Sequence, residues 1–270
     1  LNAPLQLLPV TIPKPWGREI WFTGIEARGV CSVSDRTTTI PLPALLELAP
    51  DLRPLVLVKI LEPRADEFGD LYFELHETKA ETYVITHVDR TAWPGGVGQI
   101  RLGMHQGLRV RVGNDARFRA AYLAATRAYE RARNAATAAR MNQFIAHRSV
   151  RVGDVVHVPP LTPHGLLRGV RVVEAQTPVF ERLLMSFGQD TPTQRHWDTE
   201  RAVAVMNIEP PTEIPTDFSV VVSAGRVVVT TPSCQVTVEI ETGRAVLLAT
   251  GIRARDTSGT PPSQIRPRRR

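Results

Sequence analysis

The chain has 270 residues, is 43% apolar and 22% charged, carries a formal charge of +6, and contains two cysteines, Cys31 and Cys234. That length can hold one large domain or two small ones with a sizeable core, and the composition excludes collagenous, disulfide-scaffolded and wholly disordered chains. No apolar run approaches the roughly 18 residues of a membrane span. Four of the arginines sit in the closing "RPRRR", without which the formal charge falls from +6 to +2.

The opening "LNAPLQLLPVTIPKPWG" lacks a basic leader and is interrupted by prolines, so it reads as a poor signal peptide. With two thiols too few for a disulfide framework, a reducing cytoplasm is expected. Short β-type runs follow, divided by Gly, Pro or Asp: "PLVLVKIL", "DLYFELH", "ETYVITHV", "GQIRLGM", "DVVHVPP", "VRVVEAQ" and "ERLLMSF". Their length and spacing predict a β-sandwich or barrel in place of βαβ units. Between the fourth and fifth runs, an alanine-rich stretch over 114–146 predicts one or two inserted helices, with Phe118 and Tyr122 on one face. Its segment "RFRAAYLAATRAYERARNAATAAR" carries six arginines against one glutamate, a pattern read as the solvated side of an amphipathic helix, so no nucleic-acid partner is expected.

"NIEPPTEIPTD" reads as a linker, and after it two hairpins turn at Ala224-Gly225 and Thr242-Gly243. The expected organisation is a main domain over 1–206, a small C-terminal β unit over 207–255 that packs on it, and a disordered basic tail over 256–270.

The chemistry concentrates in two stretches. In "LYFELHETKAETYVIT", Glu74 and His76 are two apart and share one face of a strand, and Glu81 arrives from the next turn or strand. In "GDVVHVPPLTPHG", His164 sits on the exit from a strand. An isolated strand histidine is usually a satisfied structural residue, and His157, alternating away from the motif, is read that way. His76 differs because Glu74, Glu81 and His164 come at ligand spacing. Two carboxylates and two imidazoles suit Zn, Fe, Mn or Ni. Taken alone, Lys79 reads as an ordinary exposed lysine, and Arg182, beside Glu181, as half of a surface ion pair.

Glu-x-His-x4-Glu, with Glu74 where the first His is usual, resembles the first cupin motif. Gly153 through Pro159 to His164 resembles the second, with Leu161 in place of its usual glycine. "PKPWGREIW", "TKAETYVI" and "VVEAQTPVFERLLMSF" are further similar to segments of type I mannose-6-phosphate isomerases, especially the short bacterial ones, over Pro13 to Phe187. The resemblance implies a mainly β fold built on a cupin jelly-roll β-barrel, with the helical segment inserted and the C-terminal β unit added. It implies zinc or another divalent metal on Glu74, His76, Glu81 and His164, with Lys79 and Arg182 catalytic. The implied activity interconverts mannose 6-phosphate and fructose 6-phosphate or a related aldose–ketose pair. The implied partner is a small-molecule sugar phosphate, with Lys79 and Arg101 as candidate phosphate donors. The family has Gln at the position of Glu74 and a small hydroxyl residue, used for phosphate contact, at that of Tyr72. Another metal cupin enzyme, such as a dioxygenase, and a non-catalytic sugar sensor are the alternatives. The sequence leaves the oligomeric state open.

Overall fold

The computed structural model describes residues 3–185 and 196–250. The basic tail expected over 256–270 lies outside them, as do Ser186 and Phe187. In chain order the strands are β1 (Leu5–Leu8), β2 (Val10–Lys14), β3 (Gly17–Trp21), β4 (Ser32–Ser34) and β5 (Thr39–Pro41), then helix α1 (Leu42–Leu48). There follow β6 (Leu57–Pro63), β7 (Phe73–Leu75), β8 (Glu81–Val88) and β9 (Gly98–Met104). Helix α2 (Gln106–Val112) comes next, and then α3 (Asp115–Arg131) and α4 (Ala135–Asn142), the two helices that lie within 114–146, where one or two were expected. The chain continues through β10 (Ile145–Val150), β11 (Val155–Val158), β12 (His164–Leu166), β13 (Val170–Gln176), β14 (Leu183–Met185) and α5 (Thr199–Val205). It closes with β15 (Ser219–Ser223), β16 (Arg226–Thr230), β17 (Cys234–Glu239) and β18 (Ala245–Ala249).

Local chemistry explains the helix boundaries. The Asn114 side chain caps α3 through the Arg117 N–H, and Gly113, in the left-handed conformation at φ 77°, ends α2 just before it. Asn134 and Thr137 form a reciprocal capping box at α4.

The strands make three sheets, in the orders β15-β16-β17-β18-β1-β4-β5, β10-β9-β12-β7-β14 and β11-β8-β13-β6-β3-β2. None of them closes, which corrects the expected jelly-roll β-barrel. A barrel needs the two edge strands of a ladder to bond to each other, yet β11 and β2 end the six-stranded sheet without meeting. Burial comes from stacking instead. The result is a mixed fold of open sheets and helices.

Alternation along the strands of the six-stranded sheet supplies two cores. Ile60, Val84 and Val173 face Leu7, Val33, Val227 and Val236 of the seven-stranded sheet. Their neighbours Leu61, Ile85 and Val172 face Ile100, Leu102, Leu166 and Leu184 of the five-stranded sheet. A third core joins Phe73, Leu75 and Met104 of that sheet to Phe118 and Tyr122 of α3 and Ala202 and Val203 of α5. The six-stranded sheet is thus covered on both faces, which is why its strands read as nearly continuous apolar runs. The C-terminal hairpins complete the seven-stranded sheet through β18 on β1, with Leu5 opposite Leu247.

Candidate metal centre

Charged residues in the middle of apolar strands mark where two of these layers part. On the six-stranded sheet, pairing sets Trp21, Lys59, Glu174 and Tyr83 side by side across four strands, and Leu57, Gln176 and Glu81 along the next rung. On the facing five-stranded sheet, β12 and β7 pair His164 directly with Glu74. The cleft between them is lined by Lys14, Trp16, Tyr72, His76, Lys79 and Arg182 as well, and holds about 50 Å³ of open space.

Glu74, His76 and His164 offer ligand atoms that all lie within 4.8 Å of one another, so the three can hold a metal ion. His76 and His164 are buried, with ring centroids 5.1 Å apart. Each imidazole is fixed by a backbone carbonyl, His76 Nδ1 at 2.7 Å from Glu181 O and His164 Nδ1 at 2.8 Å from Thr162 O. A carbonyl accepts only, so Nδ1 carries the proton and the Nε2 lone pair faces the cleft. Both Nε2 atoms are buried and make no hydrogen bond. Burial pushes the His76 pKa down and keeps that ring neutral, although Glu81 opposes the shift.

Glu81 stands between the rings, one oxygen 3.1 Å from His76 Nε2 and the other 3.3 Å from His164 Nε2. Its carboxylate also binds Lys79 Nζ at 2.8 Å and accepts from the Tyr83 hydroxyl at 2.6 Å. Burial raises its pKa, but Lys79 and the imidazoles outweigh burial and hold it well below the usual carboxylate range. At His76 a neutral imidazole lone pair facing an ionised carboxylate oxygen is repulsive unless a cation lies near both, whereas at His164 burial is outweighed by Glu81, which pulls that pKa up. The donor set therefore fits a divalent metal.

Lys79 is buried, not exposed as its sequence context suggests, and reaches Gln176 Oε1 at 3.4 Å. Arg182 does not pair with Glu181. Its guanidinium donates to the Tyr72 hydroxyl at 3.0 Å and lies over that ring. Arg101 is absent from the cleft lining. It is buried elsewhere, donates to Leu71 O at 2.9 Å, and burial pushes its pKa down to about 9. His157 meets Thr82 Oγ1 at 3.0 Å, away from the donor set.

Three further groups escape a motif reading. Glu181 gives its carbonyl to His76, while its carboxylate accepts from Thr78 Oγ1 and Lys79 N, each at 2.8 Å, pinning the turn between β7 and β8. Lys59 and Glu174 pair at 3.4 Å and are almost fully buried. Their signal in the sequence was a charge inside "VLVKIL" and "VRVVEAQ", because a strand buried on both faces admits a charge only with a partner. Burial, and then the nearby Glu81, push the Glu174 carboxyl up to about 8 against the pull of Lys59. Leu161 sits at φ 61°, in the left-handed region, where the resembling motif has glycine, and its N–H donates to His76 O at 2.6 Å. A larger hollow, about 830 Å³ beside Asp51, Arg53, Phe218 and Pro232, contains no histidine. Donor chemistry, and not size, locates the site.

No family model and no curated protein matches the sequence. Solved structures do match the fold. The mannose 6-phosphate isomerase of Bacillus subtilis is 14% identical with a TM-score of 0.60, over 92% of this chain and 94% of that one. A zinc-bound mannose 6-phosphate isomerase is 11% identical, TM-score 0.57, over 87% and 83%. A mutant phosphomannose isomerase from Salmonella typhimurium is 10% identical, TM-score 0.61, over 92% and 95%. The chain thus shares the fold of these isomerases along nearly its whole length, at an identity that speaks to fold alone.

Proposed function

We propose that this chain is a divalent-metal aldose–ketose isomerase, acting on mannose 6-phosphate and fructose 6-phosphate or a related pair, with zinc as the first metal to test. The observation that carries the reading is the pair of buried, carbonyl-fixed imidazoles whose Nε2 atoms converge on carboxylates. Glu74, His76 and His164 hold the ion, and Glu81, between the two rings, is the fourth donor of the proposed set. A divalent cation there supplies Lewis-acid polarisation of the substrate oxygens flanking the migrating proton. Arg182, positioned by Tyr72, places a fixed positive charge where an enediolate oxygen develops. Lys79 and the proton-retaining Glu174 are the cleft groups able to move a proton.

The test is elemental analysis of tag-free protein beside an isomerisation assay on mannose 6-phosphate and on related aldoses. Glu74→Gln removes one anionic donor, so metal should bind less tightly while turnover holds or rises. Turnover abolished with the metal retained would give Glu74 a task beyond ligation. One observation favours a second reading. Two histidines and one carboxylate form the donor set of non-haem Fe(II) oxygenases. Iron in the purified protein and oxygen uptake with an organic substrate would establish that reading against the first.

A further inference from the structure

Every lysine that lines the cleft already has a carboxylate. Lys14 meets Glu19 at 3.3 Å, Lys59 meets Glu174 at 3.4 Å and Lys79 meets Glu81 at 2.8 Å. Arg28 is held by both oxygens of Glu26, at 3.0 and 2.7 Å, and its guanidinium covers the Phe180 ring at 3.7 Å. A phosphate dianion drawn to Lys14, Lys59, Lys79 or Arg28 would have to pull that cation from its carboxylate.

The way in points to the same chemistry. The cleft has about 50 Å³ of open space, room for an ion and little else. It shares Leu57, Gln176 and Phe180 with a second hollow of about 280 Å³, also walled by Thr23, Gly24 and Val179. That vestibule is large enough for the body of a hexose, and its one ionisable lining residue is an acid, Glu26. A substrate whose reactive carbons reach the donor set extends its far end into this hollow. There a phosphate would meet Glu26 with both carboxylate oxygens already on Arg28, and would have to pull that guanidinium away.

We infer that the metal centre serves an uncharged sugar, its carbonyl end at the donor set and its hydroxylated far end in the vestibule beside Glu26 and Phe180. Turnover of that sugar rests on the isomerase reading above; its binding does not. Lys14, Lys59 and Lys79 then serve to hold carboxylates in place and not to hold a phosphate.

The test is calorimetric titration of the full-length, zinc-loaded protein with mannose, fructose and their 6-phosphates, repeated after metal removal. The neutral sugars should bind at least about tenfold more tightly than their esters, and only with the metal present. Equal or tighter binding of the esters, or no binding of the neutral sugars, overturns the inference. Glu26→Lys should move the preference several-fold toward the esters without changing metal content. A preference that does not move overturns the vestibule assignment. Following the bound sugars by NMR separates this inference from the isomerase reading. A neutral sugar that binds and does not isomerise sinks the isomerase and leaves the binding inference standing. Preferential isomerisation of the esters does the reverse.

Discussion

Arg182 lines the cleft and donates to the Tyr72 hydroxyl there, which puts its charge within the proposed site. It is half-buried, and the Tyr72 that accepts from it is itself buried. On the proposed chemistry, Arg182→Ala should lower kcat by about a hundredfold or more, the loss of about 2.7–4 kcal/mol typical of a transition-state charge contact. Metal content and Tm should stay nearly unchanged. Normal turnover in this variant would return Arg182 to a structural contact. Glu174 gives a prediction in pH. Its carboxyl is raised from the ordinary 4.5 to about 8, so the folded state retains a proton that the unfolded state releases. The stability it contributes is full below 4.5 and is lost as pH rises toward 8. Glu81, with its depressed pKa, acts in the opposite sense and only as pH falls below 4.5. Metal-free protein should therefore show a Tm that declines between pH 5 and 8, and Glu174→Gln should flatten the decline. An unchanged slope in that variant would refute the assignment.

At the scale of elements, the donor set depends on how closely β12 lies against the segment leading into β7. Leu71 N–H bonds to Leu166 O at 3.0 Å, and a Cβ added to Gly165 would meet Tyr72 O at 2.7 Å. Backbone cannot give way as a side chain end can, so Gly165→Ala should push the 71–72 segment off the strand and carry Glu74 away from His164. The expected cost is about 1–3 kcal/mol of stability, typical of overpacking. A fall in zinc affinity larger than that loss explains would accompany it. Denaturant melts beside competitive zinc titration would measure both, and wild-type affinity would show that the register tolerates the methyl. The same element pairing explains what the donor spacing in the sequence meant. Glu74 and His76 are close in the chain, but the second motif is brought to the first by the pairing of β11 with β8 and by the Glu74–His164 bridge.

For the whole molecule, the C-terminal hairpins provide one side of the first core. Phe218, Val227, Val229, Val236, Val238 and Leu247 are all buried there. At about 1.5–3 kcal/mol for each such side chain, their loss is comparable with the entire stability of a domain, about 5–15 kcal/mol. β1 would also lose its partner β18. A chain ending after Met206 should accordingly show no cooperative thermal transition by circular dichroism. A sharp melt would instead establish the segment 1–206 as self-sufficient.

The sequence by itself determined the short β runs, the helical segment between them, the two closing hairpins, and a donor set in which Glu74, His76 and His164 do converge. These are local signals. Periodicity, turn residues and motif spacing are written in consecutive residues and need no distant partner to be read. The layering was decided only in three dimensions. Whether a sheet closes or stacks depends on what meets its edges and faces, and β2, β3 and β18 come from opposite ends of the chain. The same holds for the environment of each charge. Lys79 looked exposed and Arg182 looked paired with its neighbour, but burial between two sheets gave the first to Glu81 and the second to Tyr72. Partner choice inside a core follows from which groups must be desolvated together, and that is a property of the packed layers, not of the chain order.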